Sequence, residues 1–369
     1  TTFLRRVTEE YMDLNRRTLA ITIFGVVAIA LLGGCTSKWE IDNPYADVDW
    51  TTAKRVKANF HTHTTQSDGR FTPSDAIDWY HVHLYEVLAL TDHNRVTYPW
   101  KDLTDLEPSD GAKKRLVEGK LESDDLTYEN RDPKQLNMVA LQANEMSRHH
   151  HVGSYFNDHA GTTDIDSSLQ AIGAKSGIAM LFHPRRYERT LEWYTRLYRT
   201  YPHLIGQEVF NQGDRYVDRR GGHRVLWDSI MTDLGGDRPV WGFSNDDMHT
   251  SPHRGRNWNI LLLPEVSPET VRRGMTEGLT LYVYAPDGHD GVAPPAVESI
   301  SVDAYAGTIT IAATNYATIE WISEGKVVHQ GDSVNLNDLP KPGGYLRAMI
   351  HGTGGFPVVG TQPFYVRGP

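Results

Sequence analysis

The 369-residue sequence contains a single cysteine, Cys35. One thiol excludes an internal disulfide framework, a Cys₄ zinc site and an iron–sulfur cluster, so a metal site here is expected to use nitrogen and oxygen ligands. Basic residues are in the minority, with 37 Lys and Arg against 47 Asp and Glu and a formal net charge of −10. This balance argues against a broad basic face for long nucleic acid. A small phosphate site remains compatible with it, because bound cations reverse the local charge.

Long hydrophobic runs are also scarce near the N-terminus. The apolar run over residues 19–32 has 14 residues, fewer than the roughly 20 that span a membrane as a helix. Four arginines precede this run, and Gly33, Gly34 and Cys35 follow it. The pattern resembles the lipobox of a bacterial lipoprotein signal, which implies cleavage before Cys35 and lipidation of its thiol. A short membrane anchor that is never cleaved is the alternative.

This resemblance predicts the order of the first segments. Residues 1–34 are expected to be a signal peptide and residues 35–55 a polar tether. The mature protein would then lie outside the cytoplasm and would be held by its lipid on a bacterial membrane, facing the periplasm or at the cell surface.

The remaining chain shows two patterns. From residue 56 to residue 290, short apolar runs alternate with helical segments, which predicts an α/β architecture with parallel strands in layers or a barrel. Residues 100–135 form a charged insertion, interpreted as surface helix and loop, with a lid as the alternative. From residue 296 to residue 369, about seven short segments of alternating polarity predict a small all-β sandwich of the Ig-like type.

Residue types that commonly bind metals follow five successive predicted strands. His61 and His63 are two residues apart, so on a strand their imidazoles point to the same side. The remaining strand ends carry Asp92 and His93, Glu145, His183, and Asp247 with His249, and Asp68 lies in a turn after the first strand. At least eight ligand candidates are too many for one ion, so two or three ions are expected. Nitrogen and oxygen ligands suit Zn²⁺, Mn²⁺ or Fe²⁺.

Taken in order, these motifs resemble the polymerase and histidinol phosphatase (PHP) family of metal-dependent phosphoesterases over residues 56–290. The resemblance implies a distorted (β/α)₇ TIM-like barrel with a site for two or three metal ions. Carried to matching positions, it implies one ion at His61, His63, Glu145 and Asp247, a second at Glu145, His151 and His183, and a third at Asp68, His93 and His249. Asp92 is expected to orient a ligand from behind the site.

Several further residues have open roles. His149 and His150 are alternatives to His151 as the ligand, because all three are adjacent. Arg185 and Arg186 follow His183 and could bind a phosphate group, or could be ordinary surface arginines. The remaining candidates are Asp247 as a catalytic residue, Asn211 as a residue near the site, and His223 as a general acid or a loop histidine.

The sequence therefore predicts a phosphoesterase. Its substrates would be mono- or diesters of small organic molecules or nucleotides, with activated triesters as promiscuous substrates, attacked by hydroxide generated at the metal site. An amidohydrolase also begins with an HxH motif, but the other motifs fit that class poorly. The alternative outside the enzymes is a noncatalytic surface lipoprotein that binds a metal or a ligand.

Overall fold

The computed structural model describes residues 39–161, 164–212, 222–340 and 344–368. Cys35, the predicted signal peptide and the first residues of the predicted tether lie outside these ranges. Within the described ranges, no helix combines the length and the apolar character that crossing a membrane requires.

The described residues form nineteen strands and six α-helices. The strands are β1 Glu40–Asp42, β2 Lys54–Asn59, β3 Val87–Ala89, β4 Val139–Leu141, β5 Ala143–Met146, β6 Val152–Tyr155, β7 Ile178–Leu181, β8 Leu204–Asn211, β9 Trp241–Asn245, β10 Asn257–Leu263, β11 Thr280–Tyr284, β12 Ala296–Asp303, β13 Thr308–Thr314, β14 Thr318–Ser323, β15 Lys326–Gln330, β16 Ser333–Asn335, β17 Tyr345–His351, β18 Val358–Thr361 and β19 Phe364–Arg367. The helices are α1 Pro73–Val82, α2 Asp110–Val117, α3 Ile165–Ala174, α4 Leu191–Thr200, α5 Gly222–Leu234 and α6 Pro268–Glu277.

Local signals account for the helix boundaries. Helix α1 begins where the side chain of Thr72 accepts a hydrogen bond from the backbone of Asp75, and Pro73 occupies its first turn. Helix α6 begins with a reciprocal capping box between Ser267 and Thr270, and it ends at Gly278, whose φ of +74° is left-handed. These caps satisfy backbone groups that a helix end leaves without partners.

The strands form three sheets. The largest has eleven strands, with β1-β19-β17-β18-β11-β10-β2-β3-β4 along its main path, while β5 to β9 form a second sheet in chain order. The third sheet contains β12, β13 and β16. The pairs β2–β3, β3–β4, β7–β8 and β8–β9 are parallel, whereas β5–β6, β6–β7, β10–β2 and β10–β11 are antiparallel. The fold is therefore mixed α/β, and the expectation of parallel pairing holds for those four pairs.

A closed (β/α)₇ barrel is not what the strands form. Gln142 alone separates β4 from β5, yet the two strands belong to different sheets, and no backbone ladder in the described ranges joins β9 to β10. Asparagine side chains span the second gap: Nδ2 of Asn259 donates to the carbonyl oxygen of Ser244 (2.8 Å) and to Oδ1 of Asn245 (3.0 Å). These buried side-chain hydrogen bonds take the place of a backbone ladder. They fix the end of β9, just after which Asp247 lies.

The C-terminal strands do not confirm a separate sandwich domain. Strand β18 pairs with β11, with Val359 opposite Val283, so part of the segment after residue 296 extends the largest sheet. A buried ion pair adds to this connection: Nη2 of Arg347 in β17 lies 2.7 Å from Oδ2 of Asp228 in α5. Side chains of the third sheet and of the C-terminal strands, such as Ile311 and Ile350, pack in one hydrophobic cluster.

Candidate metal centre

The predicted ligands converge at one end of the strands. A polar cavity of about 560 Å³ opens there, and predicted ligands line it together with Arg70, Ser147, Arg186, Gln212, Thr250 and His253. His61 and His63 lie beneath the cavity and are fully buried. Four groups of three or more ligand atoms, each group within 4.8 Å, cover all nine predicted metal ligands.

The deepest group surrounds His61 and His63. Their Nε2 atoms lie 3.0 Å apart, and each lies 3.2 Å from Oδ1 of Asp247. Oε2 of Glu145 lies 3.4 Å from Nε2 of His61 and 3.1 Å from Nε2 of His63. The structure thus brings together the four residues that the resemblance assigns to the first ion.

The other two predicted sets lie on either side of Glu145. Oε1 of Glu145 lies 2.5 Å from Nδ1 of His151 and 3.2 Å from Nε2 of His183. On the other side, Oδ2 of Asp68 lies 3.2 Å from Nε2 of His249 and 3.5 Å from Nε2 of His93. Because His93 also approaches Oε2 of Glu145 to 2.9 Å, the groups share ligand atoms and form one cluster.

This arrangement fits divalent cations. Oε2 of Glu145 and Oδ1 of Asp247 are buried and lack a hydrogen-bond partner among the described residues, although imidazole nitrogens approach both oxygens. Buried carboxylate oxygens normally have such partners. Carboxylate oxygens and imidazole nitrogens that face a common point are arranged as metal ligands are.

The charges of the cluster lead to the same interpretation. Burial alone would lower the pKa of His61, but Asp247, Glu208 and Glu145 outweigh it and raise this pKa to about 10. The same balance raises the pKa of His93 to about 9. Burial would raise the pKa of Glu145, yet His61, His151 and His93 hold it well below its usual range. The carboxylates therefore retain protons on the imidazoles, and a cation would displace those protons.

Two of the ligands lie in an unusual backbone conformation. His183 has φ +27° and Asp247 has φ +47°, a region that residues other than glycine rarely adopt. Glu208 accepts the backbone N–H of His183 at 2.6 Å, and the carbonyl of Asp247 accepts Nδ1–H of His249 at 2.9 Å. The second bond also leaves Nε2 of His249 directed at Asp68, as a ligand nitrogen must be.

The carboxylate of Asp92 supports the loop that carries His63, and its backbone carbonyl oxygen accepts the N–H of Glu145 at 3.3 Å. The Asp92 carboxylate accepts hydrogen bonds from the backbone N–H of Thr64 (2.8 Å) and from the hydroxyl of Ser67 (2.7 Å). Ser67 in turn lies 3.4 Å from Nδ1 of His63. The role of Asp92 in orienting a ligand stays a prediction, and these contacts are its structural basis.

Glu208 is the main residue that the motifs did not reveal. It is fully buried in β8, and Oε1 lies 2.9 Å from Nδ1 of His61. Asn211, which was expected near the site, donates from Nδ2 to Oε2 of Glu208 at 2.8 Å and thus acts one layer further out. The available signal was the single charged residue within the segment that forms β8.

The three adjacent histidines, His149 to His151, have different environments. His149 is exposed, whereas His150 is buried and stacks on Trp193 with ring centroids 4.9 Å apart. Burial lowers the pKa of His150 to about 3. Of the three, His151 reaches Glu145, and it lies directly before β6.

The predicted catalytic arginines and His223 differ in position. Arg186 lines the cavity, but Arg185 and His223 do not belong to its lining. His223 is fully buried, its Nδ1 accepts the backbone N–H of Arg185 at 3.3 Å, and burial holds its pKa well below the usual value. A neutral, enclosed imidazole is poorly suited to donate a proton, which argues against His223 as a general acid. The alternative of a loop histidine is also wrong, because His223 lies in the first turn of α5.

The charged insertion contacts two loops of the cluster. Arg115 of α2 donates from Nη2 to the carbonyl oxygen of Ser67 at 2.8 Å. Further on, the backbone N–H of Glu122 donates to the carbonyl oxygen of Arg70 at 2.9 Å, and the Glu122 carboxylate accepts the backbone N–H of Ser251 at 2.8 Å. Asp68 lies between the anchor points Ser67 and Arg70, and His249 is two residues from Ser251. The insertion is therefore more than surface decoration.

No protein-family model matches the sequence, and neither does a curated relative. The chain is similar to a two-domain protein from Bacteroides vulgatus that contains a predicted PHP-like metal-dependent phosphoesterase, with 14% identity and a TM-score of 0.47 over 89% of this chain and 91% of the other. An amidohydrolase from Chromobacterium violaceum has 15% identity and a TM-score of 0.34, over 53% of this chain and 88% of that protein. The lesion-specific endonuclease EndoQ from Pyrococcus furiosus has 14% identity and a TM-score of 0.38, over 60% and 56%.

The first of these structures is described as PHP-like, and PHP is the family that the sequence motifs resemble. The endonuclease extends well beyond the part that this chain matches. At these levels of similarity, the activity of the chain has to be inferred from its own side chains.

Proposed function

We propose that the protein is a metal-dependent phosphoesterase that hydrolyses phosphate esters of small organic or nucleotide substrates, including activated triesters as promiscuous substrates. The supporting observation is the cluster itself: nine nitrogen and oxygen ligands in four overlapping groups beneath a polar cavity with arginines in its wall. Two or three Mn²⁺, Fe²⁺ or Zn²⁺ ions are proposed, because overlapping groups of this kind exceed the needs of a single ion. When bound, such ions activate water and neutralise phosphoryl oxygens.

The protein's own residues have distinct tasks in this proposal. Glu208 accepts the Nδ1 proton of His61, which leaves Nε2 free as a ligand atom. Asp247 contacts both deep histidines and, through His249, the outer group. Arg186 can donate to a phosphate group in the cavity, and the polar wall orients the ester.

The direct test is hydrolysis of matched aryl phosphate mono-, di- and triesters by the full chain loaded with Mn²⁺, Fe²⁺ or Zn²⁺. The variant Asp247→Asn removes one charge at the centre of the cluster without changing its size. We expect it to lower turnover by about a hundred- to thousandfold, as losses of charge-stabilising groups do. Metal content, measured alongside, separates loss of ions from loss of chemistry.

The outcomes distinguish the alternatives. Hydrolysis of one ester class faster than the others, at a rate above that of Asp247→Asn, supports the proposal. Bound ions with no turnover of any ester, together with turnover of amide substrates, would favour an amidohydrolase-type enzyme. Bound ions with no turnover of either kind would favour a noncatalytic binding protein.

We also propose that lipid at Cys35 anchors the protein to a bacterial membrane, outside the cytoplasm. The support is the apolar run followed by Gly33, Gly34 and Cys35. Incorporation of labelled fatty acid into the wild type, and its absence in Cys35→Ser, is the expected result. Label in both proteins would overturn the assignment.

A further inference from the structure

Arg70 occupies the wall of the cavity beside the outer ligands. It follows the turn that carries Asp68, and its backbone is fixed on both sides: its N–H donates to the carbonyl oxygen of His249 at 2.9 Å, and its carbonyl oxygen accepts the N–H of Glu122 at 2.9 Å. The turn itself packs tightly, because a Cβ at Gly69 would lie 2.5 Å from the carbonyl group of His63. The side chain of Arg70 therefore starts from a fixed point next to the cluster.

The guanidinium of Arg70 makes no hydrogen bond or ion pair with any residue that the structure describes, although the side chain is half-buried. By contrast, Arg131 binds Asp78, and Arg115 binds the backbone of Ser67. A partly buried cation without such a contact in a ligand cavity is available to an anion. Arg186, which is exposed, follows His183 at the other end of the cluster.

We propose that Arg70 binds the phosphate group of the substrate and favours phosphate monoesters over diesters. This inference rests on the proposed phosphoesterase function. A monoester carries about −1.5 to −2 charges and three terminal acceptor oxygens at neutral pH. A diester has two terminal oxygens and a single negative charge. A guanidinium beside the cluster therefore adds more to the binding of a monoester.

The test uses the full chain loaded with metal and compares Arg70→Ala with Arg256→Ala. Arg256 is also half-buried, but it lines a different cavity of about 260 Å³ with Trp79 and His83, so its loss changes the net charge equally. Calorimetric titration with inorganic phosphate should show about 10- to 100-fold weaker binding by Arg70→Ala, the usual effect of losing a charged hydrogen bond. Binding by Arg256→Ala should equal that of the wild type.

Kinetics test the preference for monoesters. With aryl phosphates, Arg70→Ala should lose more of its kcat/KM on the monoester than on the diester, and Arg70→Lys should recover part of the loss. Metal content should stay unchanged in all variants. Loss of metal in Arg70→Ala would overturn the proposal, because Arg70 would then act through the turn of Asp68.

The remaining outcomes separate this inference from the proposed function. A phosphate affinity of Arg70→Ala within twofold of the wild type, in a protein that hydrolyses phosphate esters, would overturn the inference and leave the function intact. An equal loss on both esters would overturn the preference for monoesters. A metal-loaded wild type that neither binds phosphate nor hydrolyses any ester would overturn the function itself, irrespective of the variants.

Discussion

The carboxylate of Glu208 lies 2.9 Å from Nδ1 of His61 and belongs to no group of candidate ligands. Its other oxygen accepts the backbone N–H of His183 at 2.6 Å. One buried carboxylate thus determines the tautomer of one ligand and the backbone position of another. Such supporting carboxylates commonly change metal affinity 10- to 100-fold when they are removed.

We therefore expect Glu208→Gln to weaken binding of the deepest ion by about 10- to 100-fold, because an amide can no longer accept both protons. Competition with a chelator measures this change. Glu320→Gln is a matched control, since Glu320 lies 3.0 Å from Nε2 of His351, outside the cluster. Equal metal affinity in both variants would contradict the role of Glu208.

The metal-free protein should lose stability as the pH rises from about 6.5 to about 10. The pKa values of His61 and His93 are about 10 and about 9 in the folded chain, against 6.5 for an ordinary histidine. The folded state therefore holds more protons in this window, and stability falls as those protons leave. Below pH 6.5 this contribution is fully present.

The stabilisation of the fold by bound metal should have the opposite pH dependence. Ions compete with the imidazole protons, so the increase in melting temperature on adding Zn²⁺ should grow between pH 6.5 and pH 9. Thermal unfolding with and without a chelator measures both trends. A metal-free protein that gains stability across this window would show that the imidazoles are neutral without the ions.

Loss of the Glu122 carboxylate should weaken the ion at Asp68, His93 and His249. Glu122 fastens the loop of His249 through Ser251 and the turn of Asp68 through Arg70, so Glu122→Ala frees the first of these loops. We expect about tenfold weaker binding of the outermost ion and little change at the deep group. Metal stoichiometry during stepwise chelation reports this.

The control for this variant is Glu118→Ala on the same insertion. Glu118 pairs with Lys120 at 2.9 Å on the surface, and such pairs contribute little. If Glu122→Ala and Glu118→Ala retain their ions equally, the insertion does not support the metal site.

Breaking the buried pair between Asp228 and Arg347 should destabilise the whole chain. Two hydrogen bonds of 2.8 Å and 2.7 Å join the two side chains, and both are buried. We expect Arg347→Met to cost about 3–5 kcal/mol, because it leaves a buried carboxylate without its charge partner. The urea midpoint of unfolding measures the effect.

An exposed ion pair provides the comparison. Arg367 lies 3.0 Å from Glu40 at the surface, and Arg367→Ala should cost at most about 1 kcal/mol. Similar midpoints for the two variants would mean that the buried pair does not stabilise the junction between α5 and the C-terminal strands.

The metal cluster could be predicted because its residues follow strands in short motifs. Residue type and spacing are enough to select His61, His63, Glu145 and Asp247 as candidate ligands. The structure brings these four residues together. Glu208 lies within β8, where the chain pattern indicates only a buried strand, and its partner His61 is 147 positions away. A single sequence holds no record of such a long-range contact.

The order of the strands within the sheets was harder to predict from the sequence than the positions of the strands along the chain. Segments such as Thr308–Thr314 and Tyr345–His351 follow from their alternating polarity. The pairing of β18 with β11 depends on which strand edge is open after the rest has folded, and periodicity carries no information on that choice. The left-handed conformation of Asp247 is likewise imposed by its surroundings, since its residue type does not require it.

The shared ladder of β11 and β18 limits how this chain can be divided. A protein that stops after Pro295 would leave the backbone of Thr280–Tyr284 as an open edge on that side, a template for other chains. It would also leave the buried carboxylate of Asp228 in α5 without its ion-pair partner Arg347. The C-terminal strands are thus part of the scaffold that supports the ligand cluster. Exchanging them between related proteins would require β18 and Arg347 to be matched to their partners β11 and Asp228.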